Sequence, residues 1–179
     1  MNRLQHLRLL ADYNRWMNDK LYAAAARLAE DDLMRDTGAF FGSLFDTLNH
    51  IVVGDTLWLK RFARHPDGLP ALAGLDGLPQ PQALNERQCA TLLELRKRRA
   101  ELDALISAMT AQLTEAHLDR ALAYHNTRGL AQCKPFHGLL AHFFNHQTHH
   151  RGQASTLLSQ FGEDLGVTDL IALIEDVPG

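Results

Sequence analysis

Four long stretches of the chain repeat their apolar residues with the period of an α-helix, and few residues between them alternate as strands do. The stretches run from about Leu4 to Ala29, Phe41 to Ala63, Leu84 to Thr114 and Pro135 to Phe161. Each carries one apolar face that has to be buried against a neighbour. The pattern therefore predicts an all-α fold, a four-helix bundle formed by a single domain over residues 1–179.

The connections between the predicted helices differ in length and composition. The segment from His65 to Gln82 is rich in proline and glycine, which predicts a long crossover loop between the second and third helices. The segment from Leu122 to Cys133 contains an Asn-Thr-Arg-Gly turn between two short runs, which predicts a small hairpin before the fourth helix. The segment from Val167 to Glu175 predicts one more short helix at the C-terminus.

Charge and composition narrow the classes of function. A net charge of −3 argues against nucleic acid as the main partner, because phosphate-binding surfaces carry a basic excess. The basic run Arg96–Arg99 lies between Glu94 and Glu101 on a helical pattern, which predicts a solvated, ion-paired face.

No stretch approaches the roughly 18 apolar residues of a membrane span. Cys89 and Cys133 form no C-x-x-C pair, so we expect free thiols in a cytoplasmic protein.

Two histidines in the fourth predicted helix stand out. His146 and His150 are four residues apart, so on a helix their side chains share one face about 6 Å apart, close enough to bind one metal ion. At about 100° per residue, both fall within the apolar face, whereas His142 and His149 fall on its edge. Two interpretations stay open from spacing alone, hydrogen-bonded core histidines or a shared metal ion, because H-x-x-x-H without a glutamate is not by itself an enzyme motif. The high count of ten histidines in 179 residues favours the metal.

A functional metal site needs a third protein ligand, since zinc-type sites use three protein ligands and an open position. His50, in the middle of the second helix, is the candidate. Periodicity alone places His50 on the flank of its apolar face, as an edge or exposed residue, and Asp55 nearer the centre. Asp55 is compatible with three roles: a ligand, a partner that fixes a histidine tautomer, or a member of a buried salt bridge.

Several motifs, in order and at fitting separations, are similar to those of the DinB family over nearly the whole chain. They are Tyr13-Asn14-Arg-Trp16-Met-Asn18, Asn49-His50 followed by Asp55 and Trp58, Tyr124-His-Asn126-Thr-Arg-Gly129, and His146-x-x-x-His150-Arg151-Gly152-Gln153, the most specific of them. The resemblance implies a four-helix bundle with up-down-down-up topology and a divalent metal held by three histidines. Carried over position by position, these ligands are His50, His146 and His150.

The resemblance also implies a class of chemistry. The wider superfamily includes mycothiol-dependent maleylpyruvate isomerase and bacillithiol transferases, in which the metal activates a low-molecular-weight thiol. We therefore expect a metal-dependent thiol transferase; the alternatives are a metal-dependent hydrolase and a non-catalytic, metal-stabilised module for stress response or binding. The fourth helix has no acidic residue before Glu163 to act as a base, which favours thiol activation over hydrolysis. The expected partners are a small thiol or electrophilic substrate and a second copy of the chain, as a homodimer.

Nitrogen ligands suit zinc or nickel, with iron or copper as alternatives. Gln153 lies one turn beyond His150 and is predicted to hydrogen-bond a ligand or a bound water. Arg151 points away from the histidine face, which predicts a salt bridge to another helix.

Overall fold

A computed structural model describes residues 1–176 of the chain, which are mostly helical, as periodicity predicts. The helices are α1 (Arg3–Ala25), α2 (Glu30–Met34), α3 (Leu44–Phe62), α4 (Leu92–Gln112), α5 (Glu115–Leu118) and α6 (Phe136–Gln160). Two strands, β1 (Ala121–His125) and β2 (Ala131–Pro135), form an antiparallel pair. None of the helices in residues 1–176 is both long enough and apolar enough to cross a bilayer.

Side-chain caps set where the long helices begin. The side chain of Ser43 accepts a hydrogen bond from the backbone N–H of Asp46 at the start of α3. At the start of α4, Thr91 and Glu94 form a reciprocal capping box, in which each side chain satisfies a backbone N–H of the first turn. The predicted start of this helix at Leu84 is therefore wrong. The connection from α3 to α4 is correspondingly longer than the predicted loop and spans residues 63–91.

The four long helices pack around a common apolar core. α1 and α3 each pack against both α4 and α6. Every long helix contributes fully buried apolar side chains to this core, among them Leu21, Phe45, Leu102 and Phe143. The contact between α3 and α6 matters most for function, because these two helices carry the three candidate metal ligands.

The predicted hairpin is present before α6. Ala121 pairs with Pro135 and His125 with Ala131, so the two strands are in register over their whole length. The side chain of Asn126 closes the turn by accepting hydrogen bonds from the backbone N–H groups of Arg128 and Leu130. In the C-terminal segment, the predicted helix over Val167–Glu175 is reduced to one 3₁₀ turn at Leu170–Leu173.

Candidate metal centre

Three histidines from two helices meet at the contact between α3 and α6. His50 lies on α3, and His146 and His150 lie on α6. One ring nitrogen from each lies within 4.8 Å of the others, and the Nε2 atoms of His50 and His146 are 3.3 Å apart. The interpretation of His50 from periodicity, as an edge residue, is wrong: its exposed fraction is 4%. The family resemblance, by contrast, correctly predicts that His50 lies beside His146 and His150.

The spacing of two of these nitrogens fits a metal ion. In a tetrahedral site with nitrogen ligands about 2.0–2.1 Å from the ion, two ligand nitrogens lie about 3.3–3.4 Å apart. The separation of 3.3 Å between His50 Nε2 and His146 Nε2 matches this value. His150 completes the group, because its ring centroid lies 4.4 Å from those of both other histidines. Among the residues described, the ligand cluster consists of these three histidines and includes no carboxylate.

Hydrogen bonds on the far side of two rings fix which nitrogen faces the centre. His50 Nδ1 lies 2.8 Å from the carbonyl oxygen of Leu84, and a carbonyl can only accept. His50 therefore carries its hydrogen on Nδ1 and a lone pair on Nε2. His150 Nδ1 lies 2.7 Å from Gln153 Oε1, which gives His150 the same tautomer. Metal-binding histidines usually donate their other N–H in this way, and Gln153 thus contacts a ligand ring.

Burial favours the neutral form of all three imidazoles. Burial lowers the pKa of His50 and of His150. Burial, together with the proximity of His150, lowers the pKa of His146 to about 3. A neutral ring keeps the lone pair that a metal ion requires, so the cluster can bind a cation without first losing protons.

Two further residues shape the centre and are absent from the sequence-based candidates. Gly54 lies one turn after His50 on α3, and a Cβ atom at this position would lie 2.8 Å from His146 Cε1. Phe41 stacks on the ring of His50 at a centroid distance of 4.0 Å and meets His150 edge-on at 5.5 Å. A glycine inside a helix costs stability, which is the sequence signal that points to Gly54.

Asp55 takes the third of its predicted roles. It is fully buried and forms an ion pair with Arg99 on α4, and its Oδ2 accepts a hydrogen bond of 2.8 Å from Gln147. Burial raises the pKa of Asp55, whereas Arg99 opposes that rise. The prediction that the whole run Arg96–Arg99 is solvated is therefore wrong for Arg99, whose exposed fraction is 2%. Arg99 also lies four residues before Asp103 on one helix face, and this spacing is the sequence signal that Arg99 has an acidic partner.

The ion pair belongs to a buried polar cluster that also reaches α1 and α6. Asn14 and Asn18 of α1 both donate hydrogen bonds to Asp103, at 2.8 and 2.9 Å. Arg99 Nη2 lies 3.0 Å from Asp103 Oδ1. Arg151 of α6 donates a hydrogen bond to Asn14. Arg151 thus reaches another helix as predicted, but through an amide oxygen rather than through the predicted salt bridge.

The segment that supplies the Leu84 carbonyl is clamped onto α3. Asn49 is fully buried, donates to the carbonyl of Glu86 at 2.8 Å, and accepts from the backbone N–H of Gln88 at 2.8 Å. Arg87 donates to both carboxylate oxygens of Asp46, at 2.6 and 2.9 Å, and this contact lowers the pKa of Asp46. These contacts hold residues 84–88 beside His50.

Comparisons with known proteins identify the family of the chain. The family model described as "DinB family" matches residues 1–176. A curated relative, "Protein DinB" of Bacillus subtilis (strain 168), is 24% identical over 165 residues, which cover 89% of this chain and 88% of the relative. No solved structure matches the chain. Since the family model spans almost the whole chain, the protein belongs to the DinB family.

Proposed function

We propose that the protein is a divalent-metal-dependent transferase that activates a low-molecular-weight thiol for attack on an electrophilic substrate. The observation that carries this proposal is the cluster of three imidazoles whose ring nitrogens lie within 4.8 Å of one another. Nitrogen ligands suit zinc or nickel best. When bound, such an ion supplies Lewis acidity that lowers the pKa of a thiol or of water.

The three histidines and the residues that contact them each have a role in this chemistry. His50, His146 and His150 contribute no negative charge, so they leave the full charge of a bound cation available. The Leu84 carbonyl and Gln153 hold two of the rings in the orientation that presents Nε2. Phe41 covers His50 and part of His150 and limits the access of water from that side.

The proposed transfer balances without a further reactant. The thiolate sulfur forms a bond to the electrophilic carbon of the substrate, and the bond from that carbon to its leaving group breaks. The leaving group departs with the bonding electrons, and the thiol proton passes to solvent. The ligand cluster of the described residues contains no carboxylate to serve as a base for water, which favours a thiol over water as the nucleophile.

The proposal extends to the architecture and to the assembly. The packing of α1 and α3 against both α4 and α6 supports a four-helix bundle. The long connection over residues 63–91 supports parallel α3 and α4, and hence the up-down-down-up topology. A homodimer is part of the proposal, and exposed apolar side chains such as Leu93 and Ile171 are compatible with it. The expected small-molecule partners are the thiol and its electrophile; nucleic acid is not an expected partner.

Elemental analysis of protein purified without a histidine tag tests the centre itself. We expect about one transition-metal ion per chain, because the cluster supplies one set of three ligands. His146→Ala should lose the ion, and His6→Ala, which removes an exposed histidine of α1, should retain it. Full retention of the ion by the His146→Ala variant would contradict the site.

A thiol-transfer assay tests the reaction. Glutathione, bacillithiol, mycothiol and cysteine are each offered with one common electrophile, and turnover is compared before and after chelation. Metal-dependent turnover with one of these thiols, abolished in His146→Ala, supports the proposal. A metal-loaded protein that is inactive with every thiol contradicts it.

A non-catalytic, metal-stabilised module is the second candidate. The specific observation in its favour is that the ligands come from two helices, so a bound ion would link α3 to α6. A ligand present at 100 times its Kd stabilises the native state by about 2.7 kcal/mol. A sharp fall in melting temperature on chelation, combined with inactivity toward all thiols, would favour this function.

A further inference from the structure

A cavity of about 470 Å³ lies beside the histidine cluster. It is lined by the C-terminal half of α3 and Arg64 just beyond it, by residues 80–84 of the connection and by residues 124–127 of the hairpin. The three histidines do not line it, but Leu84 does, and the carbonyl of Leu84 accepts the hydrogen bond from His50. The cavity therefore adjoins the outer side of the candidate metal centre, and its volume suits a small molecule.

The charged side chains that line this cavity are basic. Lys60, Arg61 and Arg64 lie along one wall, and the lining contains no aspartate or glutamate. Within the part of the chain whose side chains the structure describes, none of the ion pairs involves these three residues. The protein has a net charge of −3, so this local excess of positive charge runs against the overall balance.

Lys60 donates a hydrogen bond to the carbonyl of Leu78, whereas Arg61 is held by two aromatic rings. Arg61 is half-buried, with its guanidinium 4.6 Å from the ring of Trp58 and 5.2 Å from the ring of Tyr124. Burial lowers the pKa of Arg61, and Tyr124 is the one group that opposes this effect. A basic residue in the last turn of a helix is favoured by the helix dipole, but the dipole does not explain why a half-buried guanidinium has no carboxylate partner among the described side chains.

Aromatic rings connect this cation to the metal centre. Trp58 also contacts His142, at a centroid distance of 5.0 Å, and His142 lies 6.0 Å from His146. A second cavity, of about 460 Å³, is lined by Trp58 and His142 and shares Tyr124 with the first. Trp58 thus contacts both the Arg61 cation and a histidine one turn before His146 on α6.

We propose that this cavity binds the anionic group, a carboxylate or a phosphate, of the small molecule that reacts at the metal centre, with Arg61 as its main ligand. The inference rests on the proposed function for the identity of the reacting centre, whereas the anion site itself stands on the cavity. Arginine binds both oxygens of such groups at once, and the rings of Trp58 and Tyr124 hold the guanidinium ready for that geometry. Lys60 and Arg64 add positive charge at the same wall.

The test is a titration of the metal-free protein with inorganic phosphate and, separately, with succinate at constant ionic strength. The Trp16→Phe variant leaves Trp58 as the single tryptophan, so fluorescence reports on the ring that contacts Arg61. We expect saturable binding with a Kd in about the millimolar range for at least one anion. Binding of phosphate alone or succinate alone identifies the group that the substrate carries.

Variants locate the binding. Arg61→Gln should raise the Kd about tenfold, because a charge-assisted bond to the anion is lost. Arg64→Gln, at an exposed position, should raise the Kd about threefold, because one positive charge is lost from the same wall. Arg96→Gln removes one positive charge from an exposed position on α4 and should change the Kd less than about twofold. The absence of saturable binding, or equal weakening in the Arg61 and Arg96 variants, would overturn the proposal.

The metal content of the wild-type protein separates this proposal from the proposed function. A protein that binds the metal but neither anion contradicts the anion site and leaves the metal chemistry intact. A protein that binds an anion at Arg61 but no metal contradicts the proposed function and leaves the anion site intact.

Discussion

At the scale of single residues, Gly54 decides how closely α3 approaches His146. The ring of His146 occupies the space that a side chain at position 54 would fill, since a Cβ there would lie 2.8 Å from His146 Cε1. Glycine costs a helix about 1 kcal/mol relative to alanine. This destabilising residue lies beside the His146 ring, whose position sets the geometry of the candidate metal centre.

Gly54→Ala is therefore expected to weaken metal binding about tenfold or more, because the methyl group displaces the His146 ring. Competition with a chromophoric chelator measures the affinity. Gly152→Ala is the matched control, since a Cβ at this helical position of α6 meets no atom within 4 Å. The control should bind metal like the wild type. Equal affinities in the two variants would show that the close approach at Gly54 has no role in metal binding.

At the scale of structural elements, residues 84–88 act as an outer support for the metal centre. Asn49 makes two hydrogen bonds to the backbone of this segment, and the neighbouring His50 makes a third, to Leu84. Asn49 thus fixes the position of the segment, and the adjacent His50 donates its hydrogen bond to it. The segment has no regular secondary structure of its own, so its position depends on these contacts.

Asn49→Ala should release this segment and weaken metal binding about tenfold, because His50 then loses its fixed tautomer. Hydrogen exchange should show faster exchange of the Gln88 amide, which donates to Asn49 in the wild type. Asn85→Ala, at an exposed position of the same segment, is the control and should change neither quantity. Faster exchange at Gln88 with unchanged metal affinity would show that the position of the segment does not affect metal binding.

At the scale of the whole molecule, one buried polar cluster joins all four long helices. Asp55 of α3, Arg99 and Asp103 of α4, and Asn14 of α1 are connected by hydrogen bonds or ion pairs, and Arg151 extends the cluster to α6. A buried ion pair contributes little net stability, but removing one partner leaves a buried charge uncompensated. We infer that the cluster fixes the register of the helices and hence the meeting of His50 with His146.

Arg99→Gln should lower the free energy of unfolding by about 3–5 kcal/mol, because it leaves two carboxylates buried without their cation. Urea denaturation measures this change. Arg98→Gln is the matched control on the same helix, where the pair with Glu101 is partly exposed and should contribute at most about 1 kcal/mol. Similar decreases in the free energy of unfolding in both variants would show that burial does not increase the effect of removing the Arg99 cation.

The sequence predicts the helical character, the hairpin, and the inward position of His146 and His150, because α6 has one apolar face and one exposed face. Periodicity misplaces His50 because every residue of α3 from Thr47 to Thr56 is buried, so no single face stands out there. Arg99 is missed because its run of charges resembles a solvated surface. The start of α4 is misplaced because the apolar Leu84 extends the periodic pattern beyond the cap at Thr91.

Leu84 contributes both to the candidate metal centre and to the cavity beside it, through different atoms. Its carbonyl oxygen holds the His50 ring, whereas the residue also forms part of the cavity wall beside Arg61. A peptide oxygen is common to all amino acids, so position 84 can change its side chain while the bond to His50 persists. Divergence at this position can therefore change the shape of the cavity wall without disturbing the candidate metal ligands.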